Sequence, residues 1–174
     1  YNAAINACGR GGKWSVALSL LDELNSGGPL RPNEYTFTTT IAALHSAPPA
    51  VGASTALRML EQMHGLGLQP STAAHNAAIR VLGAAGQSPR ALDLLTEMKQ
   101  RRQPPPDTIT YNAAISALSE SGDWALALRL LDEAEASPDA PPDVVTYTSC
   151  MAVLRSGGQW ERALQMMSRM RAAG

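Results

Sequence analysis

The chain has 174 residues, of which 45% are hydrophobic and 17% charged, so it can bury a core, but aromatic residues make up only 5%. Leu, Ala, Met and Ile must therefore form most of that core, and they favour helices over strands. The formal net charge of -1 provides no overall cationic field, so any binding of nucleic acid or an anionic membrane has to come from local features. The composition predicts an all-α protein.

Residues that commonly carry chemistry are scattered along the chain. Cys8 and Cys150 lie far apart and belong to no CxxC pair, which argues against a disulfide framework and a zinc site. His45 and His64 have no partner at catalytic or metal-ligand spacing. No apolar stretch reaches the roughly 18 residues that suggest a membrane span. We expect no catalysis, metal, cofactor, small-molecule substrate or membrane insertion in this segment.

A short phrase recurs along the chain at nearly constant intervals. It reads YNAAI from Tyr1, FTTTI from Phe37, HNAAI from His75, YNAAI from Tyr111 and YTSCM from Tyr147. The spacings between successive starts are 36, 38, 36 and 36 residues. In each phrase the apolar residues recur three and four positions apart, which is typical of one face of a helix. This regularity indicates a tandem repeat.

A second apolar phrase follows each first one and predicts a second helix. It begins at Ala17, Ala56, Ala91, Ala127 and Ala163. Four of these alanines lie 16 residues after the opening aromatic or histidine, whereas Ala56 lies 19 residues after Phe37, which predicts a three-residue loop insertion in the second unit. Each unit is thus a predicted pair of amphipathic helices.

Glycine and proline separate the predicted helices. The first helix of most units ends at Gly11 and Gly12, Gly86, Gly122, or Gly157 and Gly158. The units end at Pro32, Pro70, Pro106 and Pro142, and the next residue is Asn, Ser or Asp. Proline stops one helix and the polar residue can cap the next. Three tryptophans stand three residues before the alanine of the second helix and are expected to pack at the turn: Trp14, Trp124 and Trp160.

These signals predict an α-solenoid of about five tandem helix-turn-helix repeats, because a lone hairpin buries too little apolar surface to offset its ordering entropy. The predicted units are residues 1–33, 34–71, 72–107, 108–143 and 144–174. The first and last units are predicted to be incomplete. Since the chain begins inside a unit, we expect it to be part of a longer protein.

The unit length, the Tyr-Asn opening and the Pro-Asp ending favour one family of helical repeats. Units such as Thr108 to Asp143 closely resemble the pentatricopeptide repeat, and the resemblance covers essentially the whole chain. It implies selective binding of single-stranded RNA at about one base per repeat. It also implies a mitochondrial or chloroplast protein that acts in RNA processing, stability, splicing or translation.

The resemblance also implies which residues read bases, namely the residue after the opening aromatic and the last residue of the same repeat. The four reading pairs are Asn2 with Asn33, Thr38 with Ser71, Asn76 with Asp107, and Asn112 with Asp143. Thr148 stands at the first position of a fifth pair. The two Asn/Asp pairs imply uracil, the Asn/Asn pair implies a pyrimidine, and the Thr/Ser pair implies a slight purine preference. The predicted target is 5′-pyrimidine, any base, U, U.

Two further groups of residues are implied by the resemblance. Tyr35, Ile109 and Val145, and the smaller Ala73, are expected to wedge between bases. Arg10 matches a basic position of the family that meets the phosphate backbone. The equivalent residues of later units, Ala84, Glu120 and Ser156, are not basic, although Arg80 and Arg155 are expected to substitute in part. Few phosphate contacts predict a shallow dependence of binding on salt.

Two alternative interpretations stay open. The last residues of the units are the types that cap helices, so capping alone explains them, and capping and base reading can coexist. The near-neutral charge and the missing basic residues also suit a protein-binding scaffold, like those built from tetratricopeptide repeats.

Overall fold

A computed structural model of the chain describes residues 1–26, 30–101 and 104–173. Within these ranges the protein forms ten α-helices, one short 3-10 helix and no strand. The helices belong to two compact units, Tyr1–Ala85 and Gly86–Gly174. No helix in the described ranges is both long and apolar enough to cross a membrane.

Unit 1 contains two complete helical hairpins and one further helix, α5. Its helices are α1 (Asn2–Arg10), α2 (Trp14–Asn25), α3 (Glu34–Ala43), α4 (Pro49–Gly65) and α5 (Thr72–Ala84). The first helices of successive hairpins lie side by side, with α1 on α3 and α3 on α5. The core between the helices includes the fully buried side chains of Ile5, Leu21, Phe37, Ile41 and Met63.

Unit 2 contains one further helix, α6, and two complete hairpins. Its helices are α6 (Ser88–Arg101), α7 (Thr108–Ser116), α8 (Trp124–Glu135), α9 (Val144–Ser156) and α10 (Trp160–Ala173). Here α7 packs on α9, and α8 packs between its hairpin partner α7 and the next first helix α9. The buried side chains are again mainly those of Leu, Ile, Ala and Met, as the composition predicts.

The four polar residues predicted to cap helices do so. Asn33, Ser71, Asp107 and Asp143 precede α3, α5, α7 and α9, and each side chain accepts a hydrogen bond from the backbone N–H three residues later. At Asn33, Asp107 and Asp143 that third residue is threonine, whose hydroxyl accepts from the cap residue's own N–H. These reciprocal bonds satisfy two backbone donors at the start of the helix.

The extra residues of the second unit lie in a helix and not in a loop. Helix α4 starts at Pro49, seven residues before Ala56, whereas α2, α6, α8 and α10 start three residues before the corresponding alanine. The insertion therefore adds a turn to the N-terminus of α4, after a short 3-10 helix, Leu44–Ser46. Proline is favoured at the first position of a helix because it has no N–H to leave unpaired.

The end of α7 also differs from the simple hairpin pattern. The α-helix stops at Ser116, and residues 117–122 continue as turns in which Leu118 and Ser119 donate to the carbonyls three residues earlier. Gly122, with φ of 64°, then reverses the chain before α8. A positive φ favours glycine because it has no Cβ.

The tryptophans do not share one environment. The guanidinium of Arg162 lies over the ring of Trp124, 3.9 Å from the ring centroid. The Trp124 ring also lies close to Gly157, the residue that follows α9. Packing at the turn is therefore correct for Trp124. The prediction is wrong for Trp160, which is 68% exposed because no further hairpin among the described residues covers it.

Gly157 should not tolerate a side chain. A methyl group there would lie 2.7 Å from Cδ1 of Trp124 and 2.9 Å from the carbonyl oxygen of Gly122. We expect Gly157→Ala to lower the free energy of unfolding by about 1 to 3 kcal/mol, the usual cost of overpacking. Urea denaturation followed by circular dichroism measures this change. Gly65→Ala is the control, since its Cβ would meet no atom within 4 Å; an equal loss in both variants would contradict the prediction.

Candidate nucleic-acid interface

The fourth reading pair is joined by a direct hydrogen bond. Nδ2 of Asn112 on α7 donates to Oδ1 of Asp143, the cap of α9, over 3.1 Å. The packing of α7 against α9 brings these residues of successive repeats together. Oδ1 of Asn112 is buried and has no hydrogen-bond partner in the described part of the chain.

Asp143 is held as a carboxylate at this position. Burial alone would raise its pKa, but hydrogen bonds from the backbone and hydroxyl of Thr146, the amide of Asn112 and the backbone of Val145 outweigh it and lower the pKa below its ordinary value. The group is therefore an ionised acceptor at neutral pH. A lowered pKa in the folded protein also means that its stabilising contribution is present above the unfolded pKa and is lost as the pH falls through the folded value.

The first reading pair is joined through a third residue. The hydroxyl of Thr36 lies 2.8 Å from Oδ1 of Asn2 and 2.8 Å from Oδ1 of Asn33, and the backbone N–H of Thr36 donates to Oδ1 of Asn33 over 3.0 Å. Both amide oxygens thus face Thr36, which leaves the two Nδ2 groups as the remaining polar atoms. An open pocket of about 370 Å³ adjoins the pair and is also lined by Tyr1 and Arg31.

The second reading pair is joined by a carboxylate. Thr38 Oγ1 lies 3.1 Å from Oε1 of Glu34, and Ser71 Oγ donates to the same oxygen. The Thr38 hydroxyl also lies 2.9 Å from the carbonyl oxygen of Glu34. Glu34 is the first residue of α3 and is half-buried. The three side chains form one polar cluster between α3 and the start of α5.

Asn76, Asp107 and Thr148 are the remaining residues of the predicted pairs. Asn76 is buried on α5 in unit 1, and Asp107 caps α7 in unit 2, where its Oδ1 accepts from the backbone and hydroxyl of Thr110. The hydroxyl of Thr148 is turned towards the carbonyls of Val144 and Val145, at 2.8 and 3.1 Å.

The residues expected to wedge between bases are available for contact. Tyr35, Ile109 and Val145 are exposed by 52%, 58% and 54%. Ala73 is exposed as well. Exposed apolar side chains thus recur at one register, the second residue of α3, α7 and α9.

Some basic side chains form ion pairs with carboxylates, and others are exposed to solvent. Lys99 pairs with Glu133, and Arg169 pairs with Asp132 and Glu135 at 2.6 and 2.5 Å, which raises the pKa of Arg169. These exposed pairs connect α8 to α6 and to α10, and each contributes about 0 to 1 kcal/mol. The basic residues considered for phosphate contact are exposed: Arg10, Arg80 and Arg155.

The residues that connect the reading pairs were not singled out from the sequence. A threonine directly before the opening aromatic recurs as Thr36, Thr110 and Thr146, and this pattern signals its capping role. Glu34 has no such pattern, since Thr72, Thr108 and Val144 occupy the equivalent positions.

Other reactive groups do not form a second site in the described residues. No group of three or more His, Cys, Asp or Glu side chains there could hold a metal ion. Burial raises the pKa of the Cys150 thiol to about 12, so the thiol stays protonated.

Several known proteins are similar to this chain in sequence or fold. A family profile described as the pentacotripeptide-repeat region of PRORP matches residues 1–174. None of the curated protein sequences matches the chain. Among solved structures, the pentatricopeptide repeat protein PPR10 in complex with an 18-nt psaJ RNA element is 28% identical, with a TM-score of 0.81 over 99% of this chain and 25% of that one.

Two further structures are similar. PPR10 from maize is 31% identical, with a TM-score of 0.73 over 100% of this chain and 24% of that one. The PPR domain of protein-only RNase P 1 from Arabidopsis thaliana, in complex with tRNA, shares the fold at 20% identity, with a TM-score of 0.74 over 98% of this chain and 86% of that domain. This chain spans about a quarter of the length of the PPR10 structures.

The all-α solenoid class predicted from the repeats is confirmed by these similarities. Because the family profile matches every residue from 1 to 174, the chain belongs to the pentatricopeptide repeat family.

Proposed function

We propose that this segment binds single-stranded RNA and selects its bases through the reading pairs, without catalysing a reaction. The observation that carries the proposal is the arrangement of Asn112, whose amide nitrogen is fixed by Asp143 while its oxygen is buried and unpaired. A buried polar atom without a partner costs about 1 to 3 kcal/mol, so an apolar residue would serve packing better. The RNA bound in the PPR10 structure supports the same interpretation.

The Asn112 and Asp143 pair has the polarity to select uracil. One hydrogen of Asn112 Nδ2 is used by Asp143, and the other is left to donate to uracil O4. The exposed, ionised carboxylate of Asp143 can accept the N3–H of the same base. Cytosine has an acceptor at N3 and would face the carboxylate unfavourably. Asn76 and Asp107 have the same side chains, and we assign uracil to them by this likeness.

The first pair differs from the fourth because it offers a second donor, the Asn33 amide, where the fourth pair has the acceptor carboxylate of Asp143. The oxygens of Asn2 and Asn33 face Thr36, so both amides offer N–H donors. Cytosine presents acceptors at N3 and O2, whereas uracil presents a donor at N3. We therefore narrow the first base from a pyrimidine to cytosine.

The wedge residues and the exposed arginines complete the proposed interface. Apolar or aromatic contact with each base contributes about 1 to 3 kcal/mol and tolerates any sequence. Arg10, Arg80 and Arg155 would meet phosphates, with Arg31 beside the first pair. With so few cations, the slope of log K against log salt should be small.

The proposal is tested by fluorescence anisotropy with three labelled probes: a short single-stranded RNA of sequence CGUU, its DNA equivalent and an RNA duplex. We expect the single-stranded RNA to bind most tightly, because the duplex hides the base edges and the DNA lacks the 2′-hydroxyls by which proteins distinguish RNA. Asn112→Ala should weaken binding, and Ser116→Ala, an exposed position on the same helix, should not. Equal binding of all three probes, or of none, would contradict the proposal.

A wider role also remains a proposal. We infer an organellar location, in a mitochondrion or chloroplast, and an action in RNA processing, stability, splicing or translation, on the strength of the family. A fluorescent fusion of the complete protein would test the location. A partner protein captured from lysate after ribonuclease treatment, without RNA crosslinks, would instead favour the scaffold alternative.

A further inference from the structure

Glu34 connects both members of the second reading pair. Its Oε1 accepts from the hydroxyl of Ser71, the cap of α5, and lies 3.1 Å from the hydroxyl of Thr38, whose one hydrogen is shared with the carbonyl oxygen of Glu34 at 2.9 Å. The two hydroxyls come from opposite ends of one repeat and converge on a single oxygen. Glu34 is half-buried, so the contact is partly shielded from water.

This contact determines which hydrogen-bonding groups the second reading pair can offer to a base. A hydroxyl has one hydrogen, and Glu34 takes up both: Ser71 donates to the carboxylate, and Thr38 to the carboxylate or to the backbone carbonyl of Glu34. The cluster therefore offers only acceptors, namely the hydroxyl lone pairs and Oε2 of Glu34. Oε2 has no hydrogen bond to any residue that the structure describes. At the equivalent position of the following repeats stand Thr72, Thr108 and Val144, so the carboxylate is particular to the second repeat.

Helix stabilisation accounts for only part of this arrangement. A glutamate in the first turn of α3 interacts favourably with the helix dipole, by about 0.3 to 1 kcal/mol. That effect requires the charge alone. It does not require the carboxylate to hold Thr38 and Ser71, the two residues that the family uses for reading.

We propose that Glu34 is a specificity-determining residue and that the second repeat selects guanine. The inference rests on the RNA-binding function proposed above. Guanine presents two adjacent donors, N1–H and N2–H, on its Watson–Crick edge, and a carboxylate accepts such a pair well. Adenine, cytosine and uracil each place at least one acceptor against the carboxylate. The target of the first four pairs becomes 5′-C, G, U, U.

The test compares four single-stranded RNAs, CGUU, CAUU, CCUU and CUUU, by fluorescence anisotropy with the 174-residue chain. We expect CGUU to bind about tenfold tighter than each of the others, within the range of bidentate base contacts. Glu34→Gln should lose about tenfold on CGUU and bind CAUU best. A glutamine amide can donate to adenine N1 and accept from N6–H, with the same donor and acceptor that glutamine presents to N7 and N6 of adenine in duplex DNA.

Glu61→Gln is the matched control, because Glu61 is exposed on α4 and the substitution removes the same charge. It should leave the order of the four RNAs unchanged. Equal binding of the four RNAs by the unaltered chain, or an unchanged guanine preference in Glu34→Gln, would overturn the inference and leave RNA binding intact. No binding of any of them would overturn the proposed function together with this inference.

Discussion

Phe37→Ala should destabilise unit 1 more than any other single truncation proposed here, by about 3 to 5 kcal/mol. Phe37 is 0% exposed and is the only phenylalanine in the chain. Removing its ring takes away a large buried apolar surface and leaves a cavity among side chains that can relax only in part. Urea denaturation gives the total loss, and amide hydrogen exchange shows whether residues 1–85 account for it.

The matched control for this truncation is Tyr35→Ala, two residues earlier on the same helix. Tyr35 is largely exposed, so its removal should change the free energy of unfolding by no more than about 0.5 kcal/mol. If both variants lost the same stability, Phe37 would not be the core residue that its burial indicates.

Asn112→Thr should change the preferred fourth base from uracil to guanine. A threonine hydroxyl would donate its one hydrogen to Asp143 and then offer only acceptors, which suits the N1–H and N2–H donors of guanine. We expect the affinity ratio between CGUG and CGUU to change by about tenfold or more in favour of CGUG, as for other good base contacts. Fluorescence anisotropy with these two RNAs measures the ratio.

The second base provides an internal control for Asn112→Thr. We propose that its preference depends on Glu34 in unit 1, so the preference should not change. The order of CGUU and CAUU should therefore be the same before and after the substitution. If Asn112→Thr weakened every RNA equally, Asn112 would be a structural residue and the proposed reading would fail at this pair.

The fold could be predicted from the sequence because its determinants are local. The apolar spacing within YNAAI specifies a helix face, Gly122 specifies a reversal, and Pro142 followed by Asp143 specifies the start of a new helix. The same signals recur in each unit and reinforce one another. The cap residues and the hairpins are therefore confirmed in the described structure.

Features that depend on distant neighbours could not be predicted in this way. The turn added to α4 and the exposure of Trp160 depend on what packs against each element, and the repeat pattern assigned the extra residues to a loop. The contacts of Thr36 with Asn2 and of Glu34 with Ser71 join residues 34 and 37 positions apart. Sequence patterns in one repeat contain no information about such pairs. The reading pairs themselves remain predictions until RNA binding is measured.

The caps at the starts of α3, α5, α7 and α9 restrict how these repeats can evolve. We also propose these four residues, Asn33, Ser71, Asp107 and Asp143, as base readers, and under that proposal a new base preference must use a residue that still starts a helix. Asn, Asp, Ser and Thr meet that condition, and replacing them by alanine costs about 0.5 to 2 kcal/mol. The residue types available at this position are therefore limited to those that can start a helix, and further base preferences would have to come from neighbouring residues, the role that we propose for Glu34.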